Sequence, residues 1–326
     1  MKKHLMALAA LMALSGAAFA QSSVTLYGVA DVGFGKVYKQ KAGMISRTVL
    51  NNSNSYIGFR GIEDLGGGLK VGFQFEQQID IATGNTLSAQ SGNKLSDYYR
   101  GANVWIEGGF GQFKMGQSVT PSYNALAAWS ILDMANYSTV HLQYGYAGED
   151  ARNSSQFVYK TPYLGGFSAE VALITKGDHG NNAKYDLNLI YADGPISAGI
   201  AYNKTQKQKA NFALGGKYDF GGFALSAGYY NVRHTPLSYA PAGSVPKFAG
   251  YSIGGSVGFD NISLAIELQR QQKNEYTLSG RTYKYKKYTD GTLAAKYALS
   301  KRTFFYADYI RFEGTNSYGI GMQHKF

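Results

Sequence analysis

From Gln21 to the last residue, apolar and polar side chains alternate with a period of two, the spacing of a strand whose two faces meet different surroundings. In the first segment Val24, Leu26, Gly28, Ala30, Val32 and Phe34 fall on one side, with Thr25, Tyr27 and Asp31 on the other. Leu69, Val71, Phe73 and Phe75 alternate in the same way with Lys70, Gly72, Gln74 and Glu76. The pattern returns at Tyr185, Leu187, Leu189 and Tyr191 against Lys184, Asp186 and Asn188. It returns again at Ile262, Leu264, Ile266 and Leu268 against Ser263, Ala265, Glu267 and Gln269. The spacing predicts sixteen strands, over 22–35, 46–62, 68–80, 97–108, 110–118, 152–162, 166–176, 183–192, 195–204, 210–220, 222–232, 249–259, 261–271, 289–299, 302–312 and 316–326.

Short and long connections take turns between these strands. The short ones include Glu63-Asp64-Leu65-Gly66-Gly67, Gly108-Gly109, Asp193-Gly194, Gly221-Gly222 and Ser300-Lys301, and the long ones 81–96, 119–151, 233–248 and 272–288. An antiparallel meander of this plan predicts an all-β fold, a 16-stranded antiparallel transmembrane β-barrel. Lipid supplies no hydrogen-bond partners, so strands cross it only as a closed ring. A ring of about sixteen strands is too wide for side chains to fill, so its lumen holds water and tolerates Lys, Glu and Gln. A soluble sandwich could not keep Lys70, Gln74 and Glu76 together in a dry core. Tyr159, Tyr163, Phe167, Tyr218, Phe220, Tyr251, Phe259 and Tyr297 fall near strand ends, where interfacial girdles lie; ordinary β-propensity is the competing explanation.

Composition and charge narrow the picture. The 326 residues are 44% hydrophobic and 16% charged, and 41 Gly, 27 Tyr and 18 Phe against 6 Pro make a mixture of strand and turn formers. Cys is absent, which excludes disulfide scaffolds, thiolate metal sites and cysteine nucleophiles. Residues 1–20 read as a cleaved export signal, with Lys2 and Lys3, an apolar core from Leu5 to Leu14, and the small-residue site Ala18-Phe19-Ala20. An uncleaved anchor is the alternative, and the segment is short and Ala-rich for that. The domain plan is a signal over 1–20 and a barrel over 21–326. Without Lys2 and Lys3, 30 basic side chains stand against 21 acidic ones, an excess of nine. An exported protein seldom meets nucleic acid, so anionic lipid headgroups or anionic solutes are the expected partners.

Six stretches occur in order along the chain: Ser23-Val24-Thr25-Leu26-Tyr27-Gly28, Gly58-Phe59-Arg60-Gly61-Ile62-Glu63-Asp64-Leu65-Gly66, Gly68-Leu69-Lys70, Gly109-Phe110-Gly111-Gln112-Phe113, Leu299-Ser300-Lys301-Arg302-Thr303 and Gly319-Ile320-Gly321-Met322-Gln323-His324-Lys325-Phe326. Together they resemble the general-porin family of Neisseria and Burkholderia type. The chain end, with Tyr318, Ile320, Met322, His324 and Phe326 on one face, also resembles the terminal aromatic signal that the barrel assembly machinery recognises. The resemblance implies a trimeric barrel with an inward-folded third loop that narrows a diffusion pore. Residues 119–151, with Pro121, Trp129 and an Ala-rich stretch, are the natural constriction loop. Asp133, Glu149 and Asp150 could face basic wall residues across the eyelet, as the family's acidic loop groups do; a helix cap is the alternative for Asp133. Arg152 and Arg100 match two of the family's wall arginines. Parity with Gln156 and Lys160 points Arg152 into the lumen, whereas simple alternation puts Arg100 outside unless the strand breaks at Gly101. A third arginine position is Tyr56 here, and the arginine common after Gly116 is Gln117, so the eyelet is expected to be less cationic than in typical relatives. Glu76 matches an acidic wall position. Lys70, Lys114 and Lys160 share inward faces, as path-lining or as rim residues.

A water-filled barrel passes ions and small hydrophilic solutes down their gradients, needs no cofactor, and selects by width and rings of charge. The basic excess and Arg152 predict a weak anion preference. The excess can instead sit in exterior loops, where Lys36, Lys39, Lys41, Lys204, Lys207, Lys209, Arg281, Lys284, Lys286 and Lys287 would pair with lipopolysaccharide phosphates. A substrate-specific channel for oligosaccharide, phosphate or aromatic acid is the alternative, with Tyr27, Trp105 and Tyr230 as a stacking track. A hydrolase would need a Ser paired with a His, and His4, His141, His179, His234 and His324 offer no visible pair. No metal-binding run is present. An adhesive barrel with a filled lumen is disfavoured by the strand count. For the homotrimer, the small residues Gly28, Ala30, Gly33 and Gly35 mark the first strand as a place where another barrel could approach.

Overall fold

The computed structural model describes residues 23–87, 89–91, 94–144, 151–175, 182–233 and 244–326. The predicted export signal, Glu149, Asp150, His179 and His234 lie outside them. Sixteen long strands make one antiparallel sheet. They are β1 (Ser23–Lys36), β2 (Tyr56–Gly66), β3 (Leu69–Ile79), β4 (Gly101–Gly108), β5 (Gly111–Val119), β6 (Arg152–Lys160), β7 (Phe167–Ile174) and β8 (Lys184–Asp193). After these come β9 (Ile196–Thr205), β10 (Asn211–Asp219), β11 (Phe223–Val232), β12 (Val245–Phe259), β13 (Ile262–Leu278), β14 (Thr289–Ala298), β15 (Thr303–Phe312) and β16 (Thr315–Lys325). Each strand pairs with the next, and β1 pairs with β16 from Val29↔Lys325 to Lys36↔Tyr318, which closes the ring.

Closure uses β1 in two halves. Its first half, Ser23 to Val29, pairs with β2, and its second half pairs with β16. A short strand, Gly43–Ile45, takes the place beside Gly33 to Gly35 that β2 leaves open. The last residue completes the seam, with the amides of Gly28 and Phe326 each donating to the other's carbonyl at 3.1 Å.

The two faces of the sheet are chemically distinct, as the alternation predicts. Leu26, Phe34, Leu189, Leu214, Ile266, Leu293 and Ile320 are among the large apolar side chains left exposed. Asp31, Glu76, Asp186, Asn188, Glu267, Gln269 and Gln323 are buried on the opposite face. An apolar exterior around a polar interior reverses a soluble protein, and hydrocarbon is the surrounding that makes it stable.

Several predicted boundaries are corrected. Residues 46–55 are not strand: β2 begins at Tyr56, because the run Asn51-Asn52-Ser53-Asn54-Ser55 spends its side chains on loop hydrogen bonds. Asn51 donates to Asp31 at 3.0 Å, and Ser55 exchanges bonds with the Asp31 backbone at 2.8 and 3.0 Å. The strand predicted from 97 begins at Gly101, after a turn over 97–100. The predicted connection 272–288 is largely strand, since β13 runs on to Leu278 and pairs with Arg281–Lys284 as a hairpin carrying stacked Tyr276 and Tyr283. The small residues of β1 do not form one outer surface. A Cβ on Gly33 would meet Ile45, one on Gly35 would meet Leu50, and the Phe326 ring covers Gly28.

Placing a charge on the apolar face tests the orientation. Leu214→Arg, near the middle of β10, is expected to cost about 2–4 kcal/mol of stability, measured by urea unfolding of the barrel refolded into vesicles. Lys70→Ala, at an exposed strand end, is expected to change it by less than about 0.5 kcal/mol.

Candidate functional site

Four of the predicted site residues converge on the polar face, from β2, β3, β6 and the turn before β4. The Arg100 guanidinium lies over the Tyr56 ring at 4.2 Å, and its Nε is 3.4 Å from Glu76 Oε2. Glu76 is held from its other side: Tyr27 Oη donates to its Oε1 at 2.9 Å and Gln74 Nε2 at 2.7 Å, while the same Gln74 nitrogen donates to Tyr27 at 2.8 Å. Arg60 stacks on Tyr27 at 5.0 Å. Arg152 donates its Nε to the Arg100 carbonyl at 2.8 Å. Alternation left Arg100 on the wrong side because it was counted as strand. It belongs to the turn before Gly101, whose amide bonds back to the Tyr98 carbonyl, and the turn swings the side chain onto Glu76.

The three lysines separate. Lys160 lies 3.9 Å from Glu170, and Lys114 feels both of them. Glu170 in turn accepts from Asn124 at 2.8 Å and Asn188 at 2.7 Å. Lys70 stands exposed at the tight-turn end of β3, opposite Asp64 and Glu107 in register, so it is a rim residue. Asp133 is exposed and is not a helix cap; Thr120 takes that place, accepting from the Tyr123 amide at 3.2 Å. With φ of 51°, Asp133 sits in a left-handed turn and acts on Lys296 and Tyr137. It does not join the Arg100 group.

The segment between β5 and β6 holds two short helices, α1 (Pro121–Ala127) and α2 (Thr139–Tyr144). Each starts on a carboxylate of the polar face. Asp186 accepts from Ser122 Oγ at 2.6 Å and from its amide at 3.1 Å. Glu267 accepts from Ser138 Oγ, Thr139 Oγ1 and the Val140 amide at 2.7, 2.9 and 2.9 Å. Between the helices Trp129 is fully buried, its ring filling the space a Cβ would occupy on Gly215 and Gly228. Ile131, Leu132, Ala135 and Tyr137 pack with Ala294, Tyr306 and Ile310 of the wall. Tyr230, bonded to Gln269 and 1% exposed, packs with Trp129, Leu126 and Val140, so the proposed stacking track lacks an accessible third ring.

Loop residues complete the surroundings of Arg152. Burial pushes the Tyr123 hydroxyl up, although Arg152 and Arg100 pull it down. His141, edge-on to Tyr123 at 6.1 Å, is driven below the ordinary histidine range by burial and, to a lesser degree, by Arg152. Its Nδ1 bonds the Met134 carbonyl at 2.7 Å, which fixes Nδ1 as the protonated nitrogen. Tyr123, His141, Asp186 and Glu267 were not singled out as site residues from sequence. Their partners lie far along the chain, Ser122 for Asp186 and Ser138, Thr139 and Val140 for Glu267. Among the described residues no cluster of three or more His, Asp or Glu is arranged to hold a metal ion.

The Gram-negative porin family matches residues 7–317 of the chain. The chain is similar to outer membrane porin protein 32 of Delftia acidovorans, at 31% identity over 100% of this chain and 93% of that protein. It is similar to an outer membrane porin protein of Bordetella pertussis at 25% identity, covering 100% of both. Its fold is similar to a solved anion-selective porin from Comamonas acidovorans, with a TM-score of 0.71 at 23% identity over 94% of this chain and 100% of that one.

Glu267→Ala removes three hydrogen bonds to the start of α2 and is expected to expose residues 130–144 to protease while the barrel stays folded. Hydrogen bonds to a charged group are worth about 1.5–3 kcal/mol each, enough to release a short segment. Acid should weaken the same segment. Folded His141 binds its proton less readily than an unfolded histidine near pH 6.5. The folded arrangement is therefore fully favoured above about that pH and loses stability as the pH falls below it. Hydrogen exchange over residues 134–144 should quicken on going from about pH 7.5 to about pH 5 in the wild type, and the pH-dependent part should vanish in His141→Gln.

Proposed function

Because the chain belongs to the Gram-negative porin family, we propose that its channel is narrowed by residues 119–151 and carries a weak preference for anions set chiefly by Arg152. The protein is an outer-membrane channel for passive diffusion of ions and small hydrophilic solutes. Support for the narrowing comes from the buried Trp129 and from the bonds that tie α1 and α2 to Asp186 and Glu267 on the polar face.

One observation carries the selectivity: around Glu76 the charges do not cancel. Arg100 is offset by Glu76, but Arg152 gives its Nε to a carbonyl and has no ion pair among the described residues. Its other neighbours, Tyr56, Tyr123 and His141, carry no negative charge at neutral pH. Tyr56 in place of a family arginine keeps the excess small in this reading. That the similar Comamonas acidovorans protein is named an anion-selective porin agrees with the sign. The protein acts as a channel and not as an enzyme, residues 1–20 serve as the export signal of the 21–326 barrel, and the barrels assemble as homotrimers in this reading.

Reversal potentials in a planar bilayer under a salt gradient test it. Wild type is expected to be weakly anion-selective. A unit charge about 4 Å from the ion path is worth about 1 kcal/mol in water, so Arg152→Gln should lower the anion-to-cation permeability ratio by up to about fivefold. A cation-selective wild type, or an unchanged ratio in the variant, would refute the assignment.

A further inference from the structure

The exposed face of β13, β14 and β15 is not uniformly apolar. At the long-loop end, Arg270 of β13 and Arg311 of β15 are exposed on the same face as Leu268 and Tyr309 below them. Between them, outside the strands, come Lys286 and Lys287, both exposed. The four cations rim a depression of about 610 Å³ whose wall includes Ile266, Leu268, Leu293 and Tyr309. It runs on into a second depression of about 750 Å³ that shares Ile266, Leu293 and Tyr309 and is kept open by Ala295 and Ala307, direct partners across β14 and β15.

None of the four cations forms an ion pair among the described residues. Arg270 donates to Thr289 Oγ1 at 2.8 Å and Lys286 stands 5.2 Å over the Tyr288 ring, contacts that position the charges without cancelling them. Asp290 contributes to the same lining and feels Arg311, but its carboxylate is bonded on the opposite face, accepting from Gln143 at 3.0 Å and from the Glu313 amide at 2.8 Å. Glu313, exposed in the turn after β15, leaves the rim with a positive excess.

We propose that this trough is a seat for lipid A, the doubly phosphorylated glycolipid of the outer leaflet. Its phosphates lie on Arg270, Lys286, Lys287 and Arg311, and an acyl chain runs down toward Ala295 and Ala307. The inference rests on the membrane orientation of the channel and not on its ion selectivity. Long loops face the outside in such barrels, so the basic rim lies at the headgroup level of the outer leaflet. From Arg270 to Leu264 is six residues at about 3.3 Å, or about 15 Å along the membrane normal at a tilt of about 40°, half of a hydrocarbon core of about 30 Å. Four cations on three chain segments match two phosphates. The single phosphate of a phospholipid would leave half of them unused.

Binding to the purified, folded channel is measured by native mass spectrometry with three probes: doubly phosphorylated lipid A, dephosphorylated lipid A and phosphatidylglycerol. The wild type is expected to prefer the phosphorylated glycolipid over both others. The combined variant Arg270→Gln, Lys286→Gln, Lys287→Gln and Arg311→Gln should weaken it about tenfold or more, and Ala307→Trp should weaken it by filling the trough. The control Lys301→Gln with Arg302→Gln, exposed in a tight turn at the opposite rim, should leave it unchanged. Single-channel conductance of each variant separates loss of the seat from loss of the channel. Unchanged lipid A binding in the combined variant, or equal binding of phosphatidylglycerol by the wild type, overturns the proposal.

Discussion

A backbone amide in hydrocarbon has no water to bond, and the whole architecture follows from satisfying that one demand without an edge. The seam shows how closely it is met. β1 divides its partners between β2 and β16, the short strand Gly43–Ile45 takes the place left open, and the last residue bonds back to Gly28. Asp31 then ties the seam from within. Its carboxylate accepts from Asn51, the Ser53 amide, Tyr306 and Gln323 at 2.6–3.0 Å, which fills its lone-pair sites with groups from β15, β16 and the 46–55 loop. A buried carboxylate is costly when bare and stabilising when this fully bonded.

The same economy governs the segment between β5 and β6. Its apolar side chains need cover from water, and the barrel wall offers it at Ala294, Tyr306 and Ile310 and, for the largest ring, where the wall has no side chain. Gly215 and Gly228 are that opening, and Trp129 fills it. The helix starts need acceptors, and Asp186 and Glu267 supply them. Apolar packing and charged hydrogen bonds thus act on the same segment from opposite ends of the polarity scale, so that neither could be removed without stranding the other's partners.

Charge is distributed with the same discrimination between faces. On the polar face, acids and bases are interlocked around Glu76 and Glu170, while Asp31, Asp186 and Glu267 are met by neutral donors. On the exposed face of β13 and β15, charge sits at the loop end, where Arg270 and Arg311 close rows of leucine, isoleucine and tyrosine. A cation deeper on that face would have no water to meet.

How much of this was legible from sequence depends on the range of the interaction involved. Alternation is a property of neighbours two apart, so the strands, their faces and the closed polar-lined ring could be read from the residues alone, as could Glu76 and Arg152 on the polar face. The failures lie where a residue's partner is remote. Asn51 leaves the strand pattern because Asp31 and Tyr306 await it, 20 and 255 positions away. Arg100 turns inward because a turn, and not a strand, precedes Gly101. Gly33 and Gly35 looked like an outer contact surface, yet Ile45 and Leu50 lie against them. Asp186 and Glu267 were legible as polar-face positions, yet their partners Ser122 and Ser138 stand 64 and 129 positions away. Sequence by itself determined which environment each face must meet, because solvation acts residue by residue; only the closed tertiary structure decided which charges meet across it, because Coulomb and hydrogen-bond energies depend on distances that no spacing along the chain encodes.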